Sequence, residues 1–172
     1  GAGNLAIGYE ALKVHTTGGR NIAIGYGAMN DTDAGSNSLG SRYNIFMGYN
    51  AGGGTWADTA SEYNIGIGDN VLDGALDGAT YNIGMGYAAL GNLTSADHSI
   101  GIGYFAVHEL TTGGNNIGIG SNAMKVHTTG ARNIAIGVDA MDDTDAGSNS
   151  LNSSDNIFIG NHAGAGTWTD VL

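Results

Sequence analysis

Apolar residues along this chain alternate with small or polar ones at period two. In the stretch Asn21-Ile-Ala-Ile-Gly25-Tyr-Gly-Ala28-Met29, the large aliphatics Ile22 and Ile24 stand two apart. In an extended chain both lie on one face, so the stretch predicts a short strand. Versions of it recur nine times, opening at Asn4, Asn21, Asn44, Asn64, Asn82, Ser99, Asn116, Asn133 and Asn156. Each reads Asn, Ile or Leu, a central residue, Ile or Met, Gly, and three residues later Ala; Ser99 departs at the first position and Val71 at the last.

The central residue points away from the aliphatic pair. It is Ala or Gly in seven copies and Phe at Phe46 and Phe158. A face so bare predicts the close approach of another backbone, either a seam between chains or a tightly packed second sheet. The Gly that closes each strand marks a corner where the chain leaves the sheet. After it comes a second apolar pair, such as Ala28-Met29, Ala89-Leu90 or Ala123-Met124, which predicts a second short strand or a corner filling the same narrow core. The opening Asn residues are placed to stack, coil upon coil, with their amides bonding along a column.

Successive copies are 17, 23, 20, 18, 17, 17, 17 and 23 residues apart. A shift of 112 residues superimposes Lys13-Val-His-Thr-Thr-Gly18 on Lys125-Val-His-Thr-Thr-Gly130 and Gly54-Thr-Trp56 on Gly166-Thr-Trp168. The chain therefore holds about one and a half copies of a six-coil unit. Repeats of this length that cannot bury an apolar face alone stack into solenoids. The fold class expected is all-β: a parallel β-roll or β-solenoid of about nine rungs, spanning residues 1–172 as a single domain. At the usual strand spacing of about 4.8 Å, nine rungs make a rod of about 43 Å and one six-coil unit about 29 Å. The uncapped repeat predicts an excerpt of a longer fibre, or subunits stacked end to end.

Composition narrows the partners. Gly supplies 32 of 172 residues without a third-position period, which excludes collagen. Five Lys and Arg against 16 Asp and Glu give a formal charge of -11, which speaks against nucleic acid and anionic membranes. There is no Cys, hence no disulfide frame and no thiolate metal site, and no long apolar run that would insert in a membrane. A slender roll buries little apolar surface per residue, so a homo-oligomer is expected, as a parallel homotrimer.

The repeated Asn-Ile-Ala-Ile-Gly-Tyr-Gly-Ala, with Thr-Gly-Gly and Asn-rich spacers, resembles the head repeats of YadA-like trimeric autotransporter adhesins. It also resembles the shaft repeats of bacteriophage tail-fibre proteins built on the same pattern. All nine copies carry the likeness. It implies a left-handed parallel β-roll, three chains per fibre, located extracellularly, at a cell surface or on a virion. These coils are longer and less even than those of adhesin heads.

Candidate chemistry sits in the spacers. Asp31-x-Asp33-x-Gly35-x-Asn37 recurs as Asp143-x-Asp145-x-Gly147-x-Asn149, and its alternating oxygens resemble half a calcium loop. The later bidentate Glu is missing, and an Asx-rich turn accounts for the same residues. No other cofactor is expected. Trp56 and Trp168 could stack on sugar rings or cover a Gly-rich corner. The Tyr after the corner, at Tyr9, Tyr26, Tyr49, Tyr87 and Tyr104, predicts a stacked column; Tyr26 is the candidate glycan contact within it. Asn30, Asn92 and Asn152 fit the N-glycosylation triplet. His15 and His127, equivalent across the 112-residue shift, are expected as packed or surface residues rather than ligands. The acids follow the repeat, whereas an active site would break it, and no Gly-Lys-Ser/Thr follows the glycines; no catalysis is expected. The expected function is a non-catalytic shaft of an extracellular or virion fibre, or alternatively an adhesin or receptor-binding fibre that holds cell-surface glycans.

Overall fold

The computed structural model describes residues 1–15, 17–30, 40–56, 59–142 and 153–166. Its nine strands are β1 (Leu5–Ile7), β2 (Ile22–Ile24), β3 (Ile45–Met47), β4 (Ile65–Ile67), β5 (Ile83–Met85), β6 (Ile100–Ile102), β7 (Ile117–Ile119), β8 (Ile134–Ile136) and β9 (Ile157–Ile159). They form one parallel sheet in chain order, each strand in register with the next, so that Ile83 lies opposite Ile100 and Ile100 opposite Ile117. The chain is an all-β solenoid in which every Asn-to-Gly segment is one rung. The register is kept although successive rungs open 17 to 23 residues apart.

The second apolar pair forms turns rather than a second strand. Alternate residues there take left-handed backbone angles, including Met29 (φ 50°), Leu90 (φ 54°) and Val107 (φ 54°). Such angles cost an L-residue on the order of 1 kcal/mol each. Bonds between coils hold them: Met29 N donates to Ala51 O at 3.0 Å, Leu72 N to Ala89 O at 3.1 Å and Val107 N to Ala123 O at 2.9 Å. The coil-to-coil ladder thus continues past the strands, with turn geometry in place of strand geometry.

The core reverses the face that a pair of isoleucines two apart usually marks as interior. Central residues Ala23, Phe46 and Ala135 are fully buried, while the flanking aliphatics are partly exposed along the whole sheet. The bare face is the inside of the roll, and the backbone that approaches it belongs to the same chain. Beside the strand centre the coil has room for one large side chain, and two positions share it. Where the strand centre is Gly, an aliphatic of the preceding coil, three or four residues past its corner, fills the space; a Cβ on Gly118 would lie 2.3 Å from Val107 Cγ2, and one on Gly84 2.6 Å from Val71 Cγ2. Where the centre is Phe, the post-corner residue is Gly instead. A Cβ on Gly52 would come within 2.8 Å of the Phe46 ring, and one on Gly164 within 2.4 Å of Phe158. Close packing explains the exchange, because an interior at crystal-like density has no room for both large residues.

The opening Asn residues form the column that the repeat predicted. Asn64 N and Nδ2 both donate to Asn44 Oδ1, at 2.9 and 3.2 Å, and its Nδ2 also reaches Ala79 O at 2.8 Å. Its own Oδ1 accepts from Asn82 N and Nδ2, each at 3.0 Å. From Asn21 to Asn133 the amides are buried, so each unit of that column satisfies polar groups that water cannot reach. We expect Asn64→Ala to lower stability by about 2–4 kcal/mol, since it orphans the buried Asn82 N–H and removes a donor from Ala79 O. Asn64→Ser should recover part of the loss, because Ser99 already serves this column, its Oγ accepting from Asn116 N at 3.3 Å. Urea unfolding of the two variants measures both; equal losses would refute this account of the column.

Candidate binding surfaces

Three features of the coil reach its outside or interrupt its core: the aliphatic face of the sheet, two columns of planar side chains beside it, and a buried histidine. The aliphatic face follows from the reversed core. With Ala23 inward, Ile22 and Ile24 must point out. Repeated over nine rungs, this makes two parallel columns of Ile, Leu and Met, in which the mid-rod residues Ile67 and Met85 are 38% and 39% exposed. Each residue packs on its column neighbours, and part of its surface still meets solvent. The strip is about 43 Å long and, for three-residue strands, about 10 Å wide.

The two planar columns flank this strip. The position after the corner stacks Tyr9 on Tyr26 at 5.1 Å and Tyr26 on Tyr49 at 5.3 Å, then resumes with Tyr87 on Tyr104 at 5.5 Å. Tyr26 therefore lies inside a stack, exposed at its edge and covered on both faces. The position before the opening Asn forms a second column that sequence reasoning missed. There Tyr43, Tyr63 and Tyr81 stack at 4.8 and 4.9 Å with interplanar angles of 4° and 1°, and His98 continues at 5.1 Å. Arg20 covers its upper end, 5.3 Å over the Tyr43 ring. The signal was available, since Tyr or His directly precedes the repeat opening four times in succession. Further along this position, Arg132 grips Asp155 with two bonds of 2.6 and 2.8 Å. That pair is exposed and adds little stability.

Trp56 is not a glycan contact. It is fully buried and meets Phe46 edge to face at 5.9 Å, because its ring closes the core beside the Phe-containing rung. Trp168, Asn152 and the six calcium candidates Asp31, Asp33, Asn37, Asp143, Asp145 and Asn149 lie outside the described residues. Among the described residues no group of three or more His, Cys, Asp or Glu side chains is placed to hold a metal ion. No helix among them is long and apolar enough to cross a membrane. Of the glycosylation triplets, Asn92 is exposed and its Nδ2 donates to Glu109 Oε2 at 2.7 Å, whereas Asn30 is half-buried.

His127 is packed, as its repeat position suggested. It continues the buried column of Leu93 and Leu110, and its Nε2 lies 3.0 Å from Asn133 Nδ2. Its Nδ1 is buried without a partner. Burial disfavours the cation and brings the pKa down from 6.5 to about 4. Because the unfolded chain binds this proton more readily, the neutral ring's contribution is complete above pH 6.5 and is lost as pH falls from 6.5 towards 4. The loss approaches about 3 kcal/mol near pH 4. Asp73 acts with the opposite sign: burial raises its carboxyl to about 6, and its contribution is full below the ordinary value of 3.8 and lost as pH rises through 6. His127→Leu, matching Leu110, isolates the histidine. Its stability relative to the parent should improve as pH falls from 7 to 4.5, and a constant difference between the two would exclude this role.

No family model, curated protein or solved structure matches the chain.

Proposed function

We propose that this chain is the non-catalytic shaft of an extracellular or virion fibre, built as a parallel homotrimer through its aliphatic face. The observation that carries the reading is the unpartnered strip of Ile, Leu and Met along every rung. Its flat area is on the order of 400 Å², in the range of the largest apolar patch on a typical monomer. Adding the flanking column at Tyr43, two residues to one side, widens the strip to about 17 Å and leaves the Tyr49 column outside it. The total then approaches the roughly 800 Å² per partner of a stable interface. Length and stiffness follow from the in-register ladder, and all described strands share one direction, so parallel copies present matching strips.

Sedimentation equilibrium tests this directly. Three chains of 17.3 kDa each are expected at micromolar concentration. A monomer there would remove the shaft reading, since a free rod would leave the strip in water.

The exposed tyrosine columns support a second reading, a receptor-binding fibre that holds glycans. Stacked rings offer sugars little, because a pyranose seeks a ring's face and each ring in a stack covers its neighbour's. Binding therefore has to occur where a column is interrupted.

A further inference from the structure

The column that follows the corner glycine is interrupted once between tyrosines. Tyr49 stacks on Tyr26 at an interplanar angle of 13°, and Tyr87 stacks on Tyr104 at 18°. On the rung between Tyr49 and Tyr87 the same position is Asp69. Tyr49 and Tyr87 are thus two coils apart, about 9.6 Å, and the inner face of each looks towards the missing ring. At the column's own spacing the gap admits one ring and no more.

Asp69 does not fill it. Its Oδ1 accepts a bond from Tyr49 N at 2.9 Å, which draws the carboxylate against the backbone of the preceding coil. Asp69, Tyr49 and Tyr87 are all exposed, so the opening is reached from solvent. The other column provides a contrast, because Arg20, Tyr43, Tyr63, Tyr81 and His98 follow one another on consecutive rungs without a break.

We propose that the Tyr49–Tyr87 gap is a subsite for a single pyranose ring of a neutral or amino sugar. The axial C–H faces of such a ring carry partial positive charge and match the negative faces of two tyrosines. Asp69 accepts from a hydroxyl or an ammonium group on its rim. Acidic sugars are rejected by this carboxylate and by a chain of formal charge -11. This deepens the glycan reading and is independent of the assembly, which the mass measurement tests separately.

The test is saturation-transfer NMR on the chain in its assembled form, with chitotriose, maltotriose and sialyllactose as probes at about 10 mM, a range suited to single-ring affinities. Transfer to ring protons of chitotriose or maltotriose is expected, with none to the sialic acid residue. It should be lost in Tyr87→Ala and in Asp69→Tyr, which completes the column and should raise its melting temperature, and kept in Tyr63→Ala. The circular dichroism of each variant checks that the fold survives. No transfer to any probe overturns the proposal. So does undiminished transfer in Asp69→Tyr, which would place the sugar elsewhere on the chain and leave the glycan reading standing.

Discussion

Gly103→Ala is expected to lose more than about 5 kcal/mol, beyond the range of ordinary point substitutions. Gly103 is the corner that ends β6, with φ +134°, and a Cβ there would sit 2.5 Å from Gly120 O and 2.6 Å from Gly120 C. Both atoms are backbone of the next coil, so no side chain can swing aside. Nor can the coils separate, since Gly120 N donates to Ile102 O and Gly103 N to Met85 O, each at 2.8 Å. Relief would require opening the ladder between two rungs, and in a structure where each coil touches only its neighbours that divides the rod. For a chain of this size the fall in melting temperature should exceed about 10 °C. Gly160→Ala separates the two causes. It has a similar φ of +136° but among the described residues an added Cβ there meets only Ala163 Cβ, at 3.7 Å, so it should cost only the backbone strain of about 1–3 kcal/mol. Equal losses at the two sites, by scanning calorimetry, would show that strain rather than the close approach of coils dictates glycine here.

The second large effect concerns assembly. The double variant Met47→Lys, Met85→Lys should sediment as a single chain while keeping the dichroism and melting behaviour of a folded roll. Both methionines point outward and are already more than a third exposed, so a lysine in the lone chain keeps its ammonium in water and costs under about 1 kcal/mol. Packed against two copies, the same ammonium would lose its hydration without a partner and face its own images across the axis. Such desolvation costs several kcal/mol per charge. With two charges per chain the association constant should fall by many powers of ten. Retention of the trimer by this variant would show that copies meet through another surface. Loss of the fold itself would show that the outer columns are needed within one chain.

Strand, corner and stacking order were all legible in the sequence. Period-two alternation between Asn and Gly, repeated nine times, leaves few other ways to satisfy the backbone, and the Asn column and the Tyr9-Tyr26-Tyr49 stack followed from one residue type recurring at one coil position. Of the two histidines read as packed or surface residues, His127 is packed. The inward face was not legible. A pair of isoleucines two apart is the usual mark of a core face, and only the narrowness of a one-coil roll makes Gly and Ala the inside. Trp56 was similarly ambiguous, because the Gly-rich sequence before it suits either a covered corner or an open sugar platform.

What the sequence determined by itself is the rung: where each strand begins, where it turns, and which residues recur above and below. These are local and periodic properties, set by backbone sterics and side-chain alternation. The tertiary structure decided which side of the rung is interior, since that depends on the distance across the closed coil, a length no single repeat contains. Once that distance is known, the exchange of Phe46 with Gly52 and of Phe158 with Gly164 becomes intelligible as a constant core volume. The same closure leaves the aliphatic columns outside, because the space behind the strand takes one large side chain per coil and cannot also enclose two isoleucines.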